Sequence, residues 1–159
     1  MVSIREQAIW GIHGGKTGDA DALLLKHNVI PLGWHEMGDL SRLSPDREAF
    51  KLRVAEVYPD QKPGAISQNA GQLFRFVHEM QTGDLVVYFS KRDRQIYLGK
   101  VGGAYIYNRE PEPRYPNHRP VQWVKTLPHT HFPLGAVRGS PRSFFQVQKY
   151  AEEFRAALL

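Results

Sequence analysis

A chain of 159 residues, 42% hydrophobic and 23% charged, is long enough for one domain that buries roughly 70% of its unfolded surface without staples. Cysteine is absent, which excludes disulfides, thiolate metal sites and a cysteine nucleophile, and fits a reducing compartment. No apolar run reaches the length of a membrane span and the start, MVSIREQAIW, lacks the apolar stretch of a signal peptide, so a cytoplasmic protein with no membrane partner is expected.

The formal charge of +5 is unevenly spread. Residues 1–84 hold 9 Lys and Arg against 11 Asp and Glu, whereas residues 85–159 hold 12 against 5. A one-sided basic charge suits a polyanion, because each Lys or Arg that neutralises a phosphate releases condensed counterions. Modest basicity also serves solubility, so charge alone does not decide between the two.

In chain order, Ala8 to Ile12 reads as a first strand running into the glycine-rich loop HGGKTGDAD. Lys16-Thr17 after Gly15 has the look of a phosphate-binding loop, but the motif needs a glycine at position 10 and Trp10 stands there. Asp19 to His27 is expected as a short helix stopped by Asn28, and Val29 to Trp34 as a second strand that Pro31 confines to an edge or a bulge. Ser44-Pro45 opens the next helix, with Phe50, Val54 and Val57 as its buried stripe before Tyr58-Pro59.

The stretch from Ser67 to Phe89 should seed the core. Asn69 and Gln72 have the spacing of a reciprocal helix cap, and Leu73, Phe76, Val77 and Met80 share a helical face. After the turn at Gly83-Asp84, Leu85 to Phe89 is an unbroken β-branched and aromatic run, suited to a strand covered on both sides. SKRDRQ then makes a basic hairpin tip, and Ile96 to Val101 a strand that continues past Gly102-Gly103 as Ala104 to Tyr107. Asn108 to Pro120 is expected as a long exposed loop, Val121 to Lys125 as a strand, and Phe144 to Leu159 as a closing helix. Short strands mixed with short helices predict an α+β fold: a bent or barrel-like sheet of five to six strands with helices packed around it.

Catalytic signatures are thin. His129-x-His131 comes with no third metal ligand at a familiar spacing, HExxH and GxSxG are missing, and the carboxylates scatter over solvated helix faces. No metal or other cofactor is called for. Aromatic residues beside turns say more: Trp10 and Trp34 end two successive strands next to glycine, and Tyr88, Phe89 and Tyr97 flank the basic tip. Aromatic planes with cationic rims are how proteins stack bases and hold a backbone, although any one such ring is more often plain core. Trp123, inside a regular strand, is the weakest candidate of the three tryptophans.

Trp10-Gly11, VIPLGWHEMGDLS, GAISQNAGQLFRFVHEMQTGDLVVYF, YLGKVGGAYIY and RPVQWVK, in that order, resemble the amino-terminal domain that precedes the nuclease in Mrr-type modification-dependent restriction endonucleases. That domain is similar to the EVE, YTH and ASCH modules of the PUA-like superfamily. The resemblance covers the chain from Trp10 to about Val124. It implies a PUA-like barrel whose pocket accepts a methylated base swung out of double-stranded DNA. Under it, Trp34 with Trp10 or Tyr88 would wall the pocket, and Asp39, Ser67, Asn69 or Ser90 would read the base edge. Lys91, Arg92 and Arg94, with Arg109, Arg114 and Arg119, would grip phosphates. These 159 residues hold no nuclease, so cleavage is not implied, and a nuclease domain or subunit is the implied partner. An RNA reader, or an ASCH-like nucleotide-processing enzyme using Lys16 or Lys100 with Asp39, are the alternatives that the same superfamily supplies.

Overall fold

The computed structural model describes residues 7–138 and 140–158, without the Arg138 side chain; the start of the chain, read above for a leader, lies outside them. Leu85–Phe89, here β3, is indeed an inner strand. It runs parallel to β1, Ile9–Ile12, and antiparallel to β4, Gln95–Val101. Alternate side chains serve two cores. Trp10, Ile12, Val86 and Tyr88 pack on one face of the sheet, and Ile9, Leu85, Val87 and Phe89 on the other, which is why the run shows no polar alternation.

The remaining strands are β2 (Val29–Leu32), β5 (Ile106–Tyr107), β6 (Asn117–Pro128) and β7 (Phe144–Gln146). The curled sheet follows the order β2-β6-β4-β3-β1-β7, with β5 attached to β6. Pro31 lies in the edge strand β2, where a missing donor is tolerated. A register shift between Leu98 and Gly99 bends β4 against β6. Among the described residues, five α-helices pack around this sheet: α1 (Asp21–Leu25), α2 (Arg47–Val57), α3 (Pro63–Phe74), α4 (Leu134–Arg138) and α5 (Ala151–Ala157). The α+β fold with a bent sheet is the one that the sequence predicts. None of the described helices is long and apolar enough to cross a membrane.

Several local expectations are corrected. Asp46, not Ser44, caps α2, its carboxylate accepting from Ala49 N at 2.8 Å. α3 starts earlier than the Asn69 cap predicts, at Pro63 in the first turn, so Asn69 and Gln72 lie within the helix. Gln72 is buried and accepts from Phe144 N at 3.2 Å, tying α3 to β7. The long loop ends at Pro116: Asn117, His118 and Arg119 are buried in β6, paired with β2. The closing helix is confined to α5, because Phe144 and Phe145 pair with β1 instead. Gly11 is the local reason: a methyl group there would collide with the Phe145 ring, so only a side-chain-free residue lets β7 lie down.

Trp10 is core and not a pocket wall. It is 2% exposed, stacks on Phe144 with centroids 5.1 Å apart, and donates from Nε1 to Asp84 at 2.9 Å. Arg119 is likewise turned inward and does not grip phosphate. Its Nε donates to Gly103 O at 2.9 Å and its Nη1 to Phe76 O and Met80 O at 2.8 Å each. The last two carbonyls belong to the π turn over Arg75–Glu79 that follows α3 and to its cap, Met80, where acceptors are left to be satisfied.

Candidate functional site

The glycine-rich loop after β1, the corner after β2 and the end of α2 meet around a cleft of about 460 Å³, the size of a small-ligand site. Trp34 lines it from an unusual backbone: φ is 54° and ψ is 44°, the left-handed region, for a bulky residue. Such a conformation costs roughly 1–2 kcal/mol and persists only where neighbours impose it. Asn117 does so here. It is wholly buried, donates from Nδ2 to Gly33 O at 2.6 Å, and accepts from Tyr105 OH at 2.6 Å, which fixes the corner just before Trp34.

Two tyrosines line the cleft beside Trp34, each pinned by a carboxylate. Tyr58 OH donates to Glu36 at 2.8 Å, and that bond, with a smaller effect of His35, lowers the pKa of Glu36. Burial and the same bond raise the Tyr58 hydroxyl. Tyr115 OH shares both oxygens of Asp19 at 3.0 Å, and burial followed by this bond pushes its pKa up to about 12. Both phenols therefore stay protonated near neutral pH, donating to carboxylates that hold the rings still. The outcome is a cleft lined by Trp34 and two hydrogen-bonded tyrosines, with carboxylate acceptors in the same lining. A flat heterocycle with N–H groups fits this chemistry, and an anion inside it would be repelled.

Gly15 makes the slot possible. Its φ of 85° and its position against Asp19 and the Tyr115 hydroxyl, which a methyl would approach to 2.6 Å, leave no room for a side chain. Gly15→Ala is expected to displace Asp19 and Tyr115, to cost roughly 1–3 kcal/mol of stability and to abolish ligand binding at the cleft. Thermal melts and titration of a ligand check both, and an unaltered Tm would contradict the packing.

Basic groups sit on the rim. Lys16 lines the cleft, Lys91 Nζ donates to Lys16 O at 3.0 Å, and Arg92 Nε donates to Gly18 O at 2.9 Å, so the β3–β4 hairpin tip is bound to the glycine loop. Arg114 reaches Asp19 at 3.5 Å and pairs with Glu112, and its guanidinium lies 5.9 Å from the Tyr115 ring centre. Arg109 is exposed on the same loop.

The other sequence candidates are placed elsewhere. Tyr88 is fully buried and supports α1 through Asp21 at 2.6 Å. Asp39 is spent as a cap, accepting from Ser41 N and Oγ. Ser67 is exposed on α3, and Asn69 donates to Gln61, both away from the cleft. Ser90 and Arg94 line a second cavity. Lys100 is exposed on β4 and not beside Asp39, while Lys16 shares the cleft with Asp19. Among the described residues, no three His, Asp or Glu side chains gather as a metal site. Tyr58, Tyr115, Asp19 and Glu36 carry the site without a sequence signal; only the strand-loop pattern around Trp34 marked its place.

Two histidines beside the cleft are kept neutral. His13 donates from Nε2 to Ser140 O at 2.6 Å, since a carbonyl only accepts, and His118 donates to Tyr115 O at 2.8 Å. Burial is the main cause that lowers both below the ordinary 6.5. The unfolded chain therefore takes up more protons as pH falls through 6.5 and below, so folded-state stability declines there. Tm is expected to drop from pH 7 towards pH 5 and to drop less in His118→Gln; a flat profile for the parent protein would refute this.

A family profile described as a domain of unknown function, DUF8426, matches residues 10–144. No curated protein and no solved structure matches the chain.

Proposed function

The chain belongs to this DUF8426 family of domains of unknown function, and from that premise we propose that it is a non-catalytic reader of modified DNA that takes a methylated base, swung out of the duplex, into the Trp34 cleft. The observation that carries the reading is the cleft itself: a strained Trp34 and two carboxylate-pinned tyrosines around a space with room for a base, with Lys16 in its lining. Extruding a base costs a few kcal/mol, and each ring stacked on it returns about 1–3 kcal/mol, so the available walls can offset that cost. Carboxylate acceptors at Asp19 and Glu36 favour a base with an exocyclic amino group, as Asp and Glu do when they accept from cytosine N4. They also keep phosphates out of the slot, leaving these to Lys16, Lys91 and Arg92 on the rim. A buried methyl adds only about 0.8 kcal/mol, so selectivity beyond about fourfold depends on how badly the unmodified base hydrates the slot.

In this role the domain is the specificity module of a modification-dependent restriction system and works with a nuclease domain or subunit. The test is a panel of otherwise identical duplexes, each with one 5-methylcytosine, 5-hydroxymethylcytosine or 6-methyladenine, measured against unmodified DNA and RNA. A preference for one modified duplex, weakening as salt rises, is the expected result; equal affinity across the panel would overturn the reading. The shared lining of Lys16 and Asp19 favours one rival, an ASCH-like nucleotide-processing enzyme, and turnover of a modified nucleoside would establish that instead.

A further inference from the structure

Across His13 from the cleft lies a second cavity of about 510 Å³, which the base-reading role leaves unused. Its floor is apolar, made by Phe89, Ile96 and Phe132, and its rim is basic, made by Lys91, Arg94 and His129. Its described lining contains no carboxylate, whereas the cleft contains two. The two spaces therefore select opposite things: the cleft a neutral ring with donors, the cavity a group that is apolar in body and anionic at its edge.

They are also neighbours. His13 lines both, and a third hollow, lined by Lys16, Lys91, Ser140 and Ser143, shares Lys91 with the cavity and Lys16 and Ser143 with the cleft. A nucleic-acid strand presents this sequence of groups, a base, a phosphate and the next nucleotide. We infer that the cavity holds the nucleotide adjacent to the one in the cleft, with the linking phosphate over Lys16 and Lys91, so that the protein grips two consecutive nucleotides of one strand. This rests on the base-reading function proposed above.

Thr130 is exposed on a short 3-10 turn at the cavity wall, so Thr130→Trp can fill the space with little effect on folding, and Arg94→Glu reverses the rim charge. Each variant is expected to lower affinity for the preferred modified duplex about tenfold or more, the loss of one stacked or clamped nucleotide, while the ratio of modified to unmodified binding is kept. Replacing the neighbouring nucleotide on one side of the modified base by an abasic site should weaken the parent protein equally and add nothing to Thr130→Trp. Thermal melts of both variants check that they are folded. If the parent prefers the modified duplex but neither variant nor either abasic neighbour changes affinity, the inference is overturned and the function stands. If the parent shows no such preference, both fall. Binding of a free deoxynucleoside 5′-monophosphate that Thr130→Trp abolishes, with duplex affinity unchanged, would overturn it in favour of a soluble nucleotide.

Discussion

Exchanging Trp34 for alanine is expected to lower affinity for the modified duplex by about 5- to 150-fold, the equivalent of the 1–3 kcal/mol carried by one stacked base. Trp34 also packs partly against the core, so a loss of binding could be confused with a loss of fold. The left-handed backbone separates the two. Alanine inherits the unfavourable φ of 54°, whereas glycine adopts it freely, so Trp34→Gly should be more stable than Trp34→Ala by roughly 1 kcal/mol. Both variants remove the same indole and should lose the same affinity. Equal binding loss with unequal stability identifies the ring as a ligand contact; affinity that tracks stability would make it a packing residue. Trp10→Phe supplies the contrast, because its ring is buried against Phe144 and its change should move Tm without moving the preference for modified DNA.

What could be read from the amino acids follows from how local each signal is. The inner strand β3 is legible because five consecutive apolar residues, four of them β-branched or aromatic, have no other economical place than between two cores. Pro31 placed β2 at an edge for the same kind of reason, one missing N–H. The start of β6 was hidden by the prolines around it: Asn117 to Pro120 looks like loop, and becomes strand only because β2 is there to pair with it. β7 was hidden likewise, since Phe144 and Phe145 are held by β1 and by the gap at Gly11, not by their neighbours in sequence.

The site shows the same division. Trp34 next to glycine after an edge strand marks a sheet corner, and the corner is real. Tyr58 and Tyr115 come from a helix end and a proline-rich loop, and their meeting with Trp34 is a product of tertiary folding that no local pattern announces. Trp10 met the same local criterion as Trp34 and went to the core instead, because Asp84 offers its indole N–H a partner inside. A buried acceptor supplied from far along the chain is invisible in the segment that needs it.

Arg119 carries the largest stability effect expected. Replacing it with methionine removes three hydrogen bonds donated by a buried cation and leaves the carbonyls of Phe76 and Met80, both in the interior, and the partly buried carbonyl of Gly103 without their donor. Breaking such a buried charged network typically costs about 3–5 kcal/mol, and at about 2–4 °C per kcal/mol for a chain of this size Tm should fall by roughly 6–20 °C. Arg119→Lys should recover only part of this, because an ammonium cannot present the planar fork that reaches a strand loop and a helix end together. Salt dependence then distinguishes a core cation from a phosphate contact. Lys16→Ala is expected to reduce the slope of log affinity against log salt by about 0.9, the release of one counterion. Folded Arg119→Met should keep the parent slope, since the guanidinium is buried and bonded to three backbone carbonyls, out of reach of any phosphate. A slope change in Arg119→Met with an unchanged Tm would reverse the assignment and return this arginine to the DNA surface.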